Sequence, residues 1–208
     1  MHNDNPAGAR AKSYRSTSLR FVQAETAGLL RRPFPFFTLL VTSDPTALLA
    51  LLDRHEIAYK RFDHHAVFTC EEADHVVPEG EGAVHAKNLF LRDKSGRRHW
   101  LLVTSCAKSV DLKQLAAVLG AGTLSLGSSD RLMKYLGVSP GSVTLLALAN
   151  DEGHEVELLM DRDVWTGAPL RFHPLVNTAT LVLDPRQVER FLGLTGHRMS
   201  LVTAPARG

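Results

Sequence analysis

Apolar positions recur along this chain in blocks whose period changes several times. From Phe36, "FFTLLVTSDPTALLALLDRHEI" places a short apolar segment before a helix. Ser43 or Asp44 can cap that helix and Pro45 suits its first turn. Leu48, Leu49, Leu51 and Leu52 give it one apolar face. "AYKRFDHHAV" predicts a short strand and loop. "TCEEADHV" has the Thr-x-x-Glu form of a capping box, so a short helix starts at Thr69; Pro78 and the "EGEG" run end it. Two period-two runs then flank "DKSG" (93–96) and predict a β-hairpin. In its first strand Lys87, Leu89 and Leu91 share one face, and Asn88, Phe90 and Arg92 share the other. An ammonium group thus opens the face that leucine continues.

Beyond the hairpin, "SVDLKQLAAVLG" predicts a helix with Leu112, Leu115, Ala116 and Leu119 on one side and Gly120 as its cap. "SSDRLMKYLG" repeats the design with a serine cap and Gly137 as the stop. "SPGSVTLLALAND" predicts a loop feeding an apolar strand over 143–149. "HEVELLMD", "PLRFHP" and "NTATLVLD" predict strands, "PRQVERFLGLTG" a helix and "HRMSLVT" a last strand. Strict βαβ alternation is absent, which favours an α+β body with a mixed sheet over a doubly wound fold.

Composition changes this picture little. A chain of 208 residues, 44% apolar and 22% charged, fits one soluble domain, or one with an appendage. Charge distribution says more. Residues 1–37 carry six basic groups against Asp4 and Glu25, a net of +4; the whole chain is +2, so the body is near −2. Such a body is not a basic nucleic-acid slab, and contact with RNA would need a local patch. Residues 1–37 lack the apolar core of a secretory signal and read as a flexible basic tail, with a transit peptide as the alternative. Residues 38–208 form the domain. Cys70 and Cys106 lie in different segments with no CxxC, which argues against a disulfide framework or a cysteine zinc site and fits a reducing cytosol. No apolar run reaches the ~18 residues of a membrane span.

Ten histidines raise a metal question, but there is no HExxH, and adjacent His64 and His65 would point to opposite faces of a strand, so no metal site is expected. No GxSxG elbow is present, and "GAGTLSLGSSD" lacks the order of a phosphate loop. Glu71–Glu72 and Glu79–Glu81 read as solvated charges. Lys87 admits two readings. It can be a strand-end lysine whose stem covers apolar surface, or a point charge withdrawn into a cleft to meet an anionic or carbonyl ligand. In "LGVSPGSV", Gly137 and Gly141 permit positive φ and Pro140 stiffens the turn; its N–H groups could hold an oxyanion, or it could be a plain helix-to-strand turn. "FHPLVNTAT" sets His173 and Asn177 around Pro174, as a functional pair or as turn chemistry.

Taken together, "AVFTCEEADHV", "AKNLFLRDKSGRRHWLLV", "GVSPGSVTLLALAND" and "FHPLVNTATLVL" resemble, in order, the YbaK/prolyl-tRNA synthetase editing-domain superfamily. The likeness is greatest to its free-standing Ala-tRNA(Pro) deacylase branch (ProXp-ala or PrdX) and covers roughly residues 38–204. It implies a single domain with a mixed, mainly antiparallel sheet flanked by helices. It also implies a cytoplasmic trans-editing enzyme that hydrolyses the ester of mischarged Ala-tRNA(Pro). The same chemistry on Cys- or Ser-charged tRNA, or a non-catalytic tRNA- or nucleotide-binding module, are the alternatives. The resemblance maps the catalytic lysine onto Lys87 and the oxyanion loop onto Gly137, Gly141 and Ser142. Substrate contacts map onto Asn88, Ser139, Pro140, His173, Asn177 and Thr178. No metal or organic cofactor is implied. The partner would be the acceptor end of tRNA(Pro), with transient contact to prolyl-tRNA synthetase or an elongation factor, and no DNA or membrane. Arg92, Lys94, Arg97 and Arg98 at the hairpin turn, with Arg131 and Lys134 on the following helix, form a candidate tRNA patch or an ordinary solvated turn. One departure stands out. The family often reads "HPPVFTVEEA" where this chain has "HHAVFTCEEA", so His65 and Ala66 replace prolines and Cys70 replaces a valine. The loop before Thr69 is then less rigid, which bears on substrate choice.

Overall fold

Period-two patterning around Asp93–Gly96 builds the centre of the molecule. A computed structural model describes residues 43–208; the basic segment 1–37 and the apolar stretch from Phe36 lie outside these described residues. The elements run α1 (Pro45–Arg54), β1 (Lys60–Asp63), α2 (Cys70–Asp74), β2 (Ala86–Asp93), β3 (His99–Ser105), α3 (Leu112–Val118), β4 (Leu124–Leu126) and α4 (Ser129–Leu136). Then follow β5 (Val156–Asp161), β6 (Leu170–Phe172), β7 (Ala179–Leu183), α5 (Pro185–Thr195) and β8 (Met199–Val202). A five-stranded sheet has the order β4-β2-β3-β5-β8, and a three-stranded sheet the order β1-β7-β6. The β3–β5 and β5–β8 ladders are parallel, and the remaining ladders are antiparallel. This is the expected α+β body, with the strands divided between two sheets.

The five-stranded sheet is covered on both faces. Ala86, Phe90, Leu101, Val103, Leu158 and Met160 join the larger core with residues of α1, α4, α5 and the second sheet. Leu91, Trp100, Leu102 and Leu159 face the smaller core under Leu115 and Ala116 of α3. Lys87 therefore opens the strand face that ends in the smaller core, and Asn88 opens the face that joins the larger one.

Local chemistry places the helix ends. Asp44 rather than Ser43 caps α1, accepting from the Thr46 N–H at 2.8 Å. The Ser43 hydroxyl instead donates to the Gly137 carbonyl at 2.6 Å. Thr69 caps α2 through the Glu72 N–H, while the Glu72 carboxylate accepts from the Phe68 N–H at 2.7 Å. Gly137 ends α4 in the left-handed region at φ 63°. One expectation fails here, and one strand was not foreseen. Residues 143–149 are not a strand: Leu145–Asn150 form a 3-10 helix capped by Thr144, with Leu145 to Ala149 all buried. A short, wholly apolar run carries no period that separates a buried strand from a buried helix. Within the Gly/Ser-rich stretch 120–130, Leu124–Leu126 form β4 beside Leu91–Asp93.

Candidate active site

β4 pairs only with Leu91–Asp93, so the start of β2 has no ladder partner on that edge among the described residues. Around it lies a cavity of about 170 Å³. Lys87 and Asn88, from opposite faces of β2, both line it, together with Phe68, Thr69, Gly141 and His173. Four of the residues singled out in the sequence thus converge. They come from three separate segments, brought together by the β2 start, the loop after α4 and the turn before β7.

Lys87 is half-buried, and its Nζ donates to the Cys106 carbonyl at 3.1 Å. Burial lowers its pKa, and the charge of Glu71 opposes that shift. Asn88 has a buried Oδ1 without a hydrogen-bond partner. Such an acceptor costs free energy unless a ligand satisfies it. His173 directs Nδ1 to the Ala179 carbonyl at 3.1 Å. A carbonyl only accepts, so Nδ1 carries the proton; burial lowers the histidine pKa and keeps the ring neutral, which leaves Nε2 as an acceptor.

The glycine loop contributes unequally. The Gly137 N–H is spent on the Met133 carbonyl and the Ser142 N–H on the Ser139 carbonyl, both at 3.1 Å. Gly141 reaches the cavity at φ 88°, and its N–H has no acceptor among the described residues. Gly137, Ser139, Pro140 and Ser142 do not line the cavity. Nor do Asn177 and Thr178: the Asn177 amide donates to the Val67 carbonyl at 3.1 Å, and the Thr178 carbonyl accepts from the His64 N–H at 3.0 Å. These two residues clamp the segment that carries Phe68.

The basic cluster lies elsewhere. Asp93 lies six residue steps along β2 from Lys87, about 20 Å at ~3.3 Å per residue. Arg98 forms an ion pair with Glu157 at 2.9 Å and stacks over Trp100. Arg131 acts as a strut, donating to the Gly96 carbonyl at 3.0 Å and to His99 Nε2 at 2.9 Å. The Arg92 guanidinium bonds the Asp93 carbonyl, and Lys134 Nζ donates to the Tyr135 hydroxyl. Lys94 and Arg97 are exposed.

Sequence reasoning missed several wall residues. Phe68 is 71% exposed at the cavity rim, and a Cβ placed on Gly141 would lie 3.5 Å from its ring. Its position just before a helix cap reads as a hydrophobic staple, yet the ring faces outward. Arg171 has a buried Nε without a partner and lines a smaller adjoining cavity with Asn88 and His173. Cys70 and Cys106 form a disulfide in the cavity wall. This corrects the expectation of two unpaired cysteines. A separation of 36 residues carries no signal, but the β2–β3 register, extended by the Cys106 N–H bond to the His85 carbonyl, brings the second cysteine to the first. The support that unpaired cysteines lent to a reducing compartment goes with it.

The model of the aminoacyl-tRNA editing domain family matches residues 64–191. The chain belongs to that family. The matched range contains every site residue named above. A prolyl-tRNA editing protein, ProX, of Acetoanaerobium sticklandii is 36% identical over 156 residues, spanning 75% of this chain and 94% of that protein. Prolyl-tRNA synthetase associated domain-containing protein 1 of Xenopus laevis is 37% identical over 156 residues, 72% of this chain and 90% of its own. The fold is also that of a solved structure described as a candidate trans-editing enzyme for prolyl tRNA synthetase. That structure has a TM-score of 0.58 at 18% identity and covers 80% of this chain and 99% of its own. Among the described residues no helix is long and apolar enough to cross a membrane.

Proposed function

We propose that this editing-family chain is a trans-editing deacylase that hydrolyses the ester between alanine and the terminal adenosine of tRNA(Pro), in the cytoplasm. The observation that carries the reading is the convergence of a desolvated lysine, an unsatisfied asparagine oxygen and a glycine N–H on one cavity. At about 170 Å³ the chamber falls below the ~300–1,000 Å³ of pockets for drug-sized ligands. That size suits a small aminoacyl group and leaves the nucleoside at the mouth.

An aminoacyl ester is already activated, so a positioned water suffices as nucleophile. The Lys87 ammonium orients the ester or the terminal phosphate, and the Gly141 N–H meets the oxyanion. Asn88 Oδ1 accepts from the substrate's α-ammonium group, and neutral His173 Nε2 accepts from a ribose hydroxyl. Bulkier side chains fail by size. The test is a panel of tRNAs charged with alanine, cysteine, serine and proline. Faster turnover of any other charged tRNA than of Ala-tRNA(Pro) overturns the substrate, and no turnover on any of them overturns the enzyme.

Two further outcomes are expected. Phe68 offers a face on which the terminal adenine can stack, and base–aromatic stacking is worth ~1–3 kcal/mol. Phe68→Ala should therefore raise KM by about that amount with kcat little changed, as read by steady-state kinetics. Lys94 and Arg97 offer the exposed turn to the phosphates of an acceptor stem. Lys94→Glu combined with Arg97→Glu should raise KM and reduce the salt slope of binding by about one for each phosphate no longer neutralised. An unchanged KM and slope would remove this turn from the RNA path.

A further inference from the structure

Cys70, His85 and Cys106 present one sulfur, one ring nitrogen and one sulfur within 4.8 Å of one another, all half-buried in the cavity wall. Each is placed by a different device. Cys70 is the first residue of α2, fixed by the Thr69 cap. His85 and Cys106 face each other one step beyond the β2–β3 ladder. Asp74, four residues after Cys70 and so on the same side of α2, bonds His85 Nδ1 at 2.6 Å. With Nδ1 committed to that carboxylate, Nε2 is the nitrogen left to ligate. A carboxylate behind the far nitrogen is the outer partner that metal-bound histidines nearly always have.

We infer that in its dithiol state this cluster is a Cys2His site for a soft divalent cation of the Zn²⁺ class, with its fourth position open to the cavity. The disulfide is the oxidised, closed form of the same site. Two equivalents of a low-molecular-weight thiol supply the two electrons and two protons that convert the disulfide to two thiols, and themselves become a disulfide. The cation then displaces both thiol protons, leaving two thiolates and one neutral imidazole as ligands. Zn–S distances of ~2.3 Å and Zn–N of ~2.0–2.1 Å place tetrahedral ligand atoms under ~4 Å apart. The three groups reach that spacing with side-chain adjustment once the sulfurs are released. Two thiolates and an imidazole select Zn²⁺ over Mg²⁺ or Ca²⁺, which take oxygen ligands. The site is built from residues outside the proposed deacylation step, so binding can be read without any tRNA.

The experiment uses the full chain reduced with a phosphine, with Co²⁺ as the probe and Zn²⁺ as competitor. The expected result is one Co²⁺ per chain with thiolate-to-cobalt charge-transfer absorption, two protons released and full displacement by Zn²⁺. The oxidised protein should show none of this. Cys106→Ser should lose the charge-transfer band. Asp74→Asn, which leaves every ligand in place, should keep the spectrum and weaken binding by about 10–100-fold. Reduced protein with two titratable thiols and no cobalt band overturns the site. A band that survives unchanged in Cys106→Ser, or an affinity unaltered in Asp74→Asn, also overturns it.

Discussion

Replacing Lys87 with alanine is expected to lower kcat/KM on Ala-tRNA(Pro) by on the order of 10²–10³-fold, the usual cost of removing one preorganised electrostatic group. Thermal stability should change little, because the side chain is half-buried and makes one hydrogen bond, to the Cys106 carbonyl. Lys87→Arg should not restore the rate, since a planar fork does not reproduce a compact point charge in a chamber of about 170 Å³. The pH profile gives a second reading. Burial holds the lysine pKa below its ordinary value, with Glu71 resisting. If the ammonium is the working form, activity falls as pH rises through that lowered value, earlier than an exposed lysine near ~10.4 would dictate. Glu71→Gln removes the opposing charge, so the alkaline limb should move to lower pH still. Single-turnover deacylation across pH checks both outcomes. Equal rates for wild type and Lys87→Ala would remove the lysine from catalysis.

The lysine is legible in the sequence because a strand has a fixed period. Counting by twos from Leu91 puts an ammonium on an apolar face, and the structure leads that face into the smaller core. The hairpin, the Thr69 and Ser128 caps and the Gly137 stop are legible for the same reason: each is a local device with its own residue chemistry. What fails is of another kind. Leu145–Asn150 has no period to read, because Leu145 to Ala149 are all buried and a buried strand would show the same apolar run as this 3-10 helix. β4 is three residues long and exists because β2 offers an edge there. The pairing of Cys70 with Cys106, the orphaned Asn88 oxygen and the outward ring of Phe68 are products of tertiary register. The glycine loop shows the limit in one place. Two of its glycines fit the positive-φ expectation, yet Gly137 spends its N–H closing α4 and only Gly141 reaches the cavity. Sequence identifies the loop; helix termination decides which amide remains.

Stability should hinge on Asp161, a fully buried carboxylate at the end of β5. Its Oδ2 accepts from the Thr104 hydroxyl and from Lys108 Nζ, both at 2.6 Å, and its Oδ1 accepts from the Ala204 N–H at 3.3 Å. It thereby ties β3, the turn after it and the chain beyond β8 to one group. Removing one partner of a buried ion pair costs ~3–5 kcal/mol, because the other charge is left uncompensated. Lys108 retains Asp163 at 2.7 Å, so Asp161→Ala should fall near the lower end, about 3 kcal/mol, which lowers Tm by about 6–12 °C in a chain of this size. Burial alone would raise the Asp161 pKa, but the Lys108 and Thr104 hydrogen bonds outweigh it and hold the folded value below the ordinary one. A depressed folded pKa contributes stability that is complete above the unfolded value, ~3.9, and is lost as pH falls through the lower folded value. Wild type should therefore lose this contribution only below about pH 4, and Asp161→Asn should lack it at every pH. The consequence reaches the site. Thr104 is the β3 partner of Lys87, and the turn that Asp161 anchors through Lys108 carries the carbonyl that holds the Lys87 ammonium. In thermal melts Asp161→Asn should show the loss directly. Assayed well below its Tm, the variant should also deacylate more slowly at saturating substrate, whereas a loss confined to the melt would make Asp161 a purely structural tie.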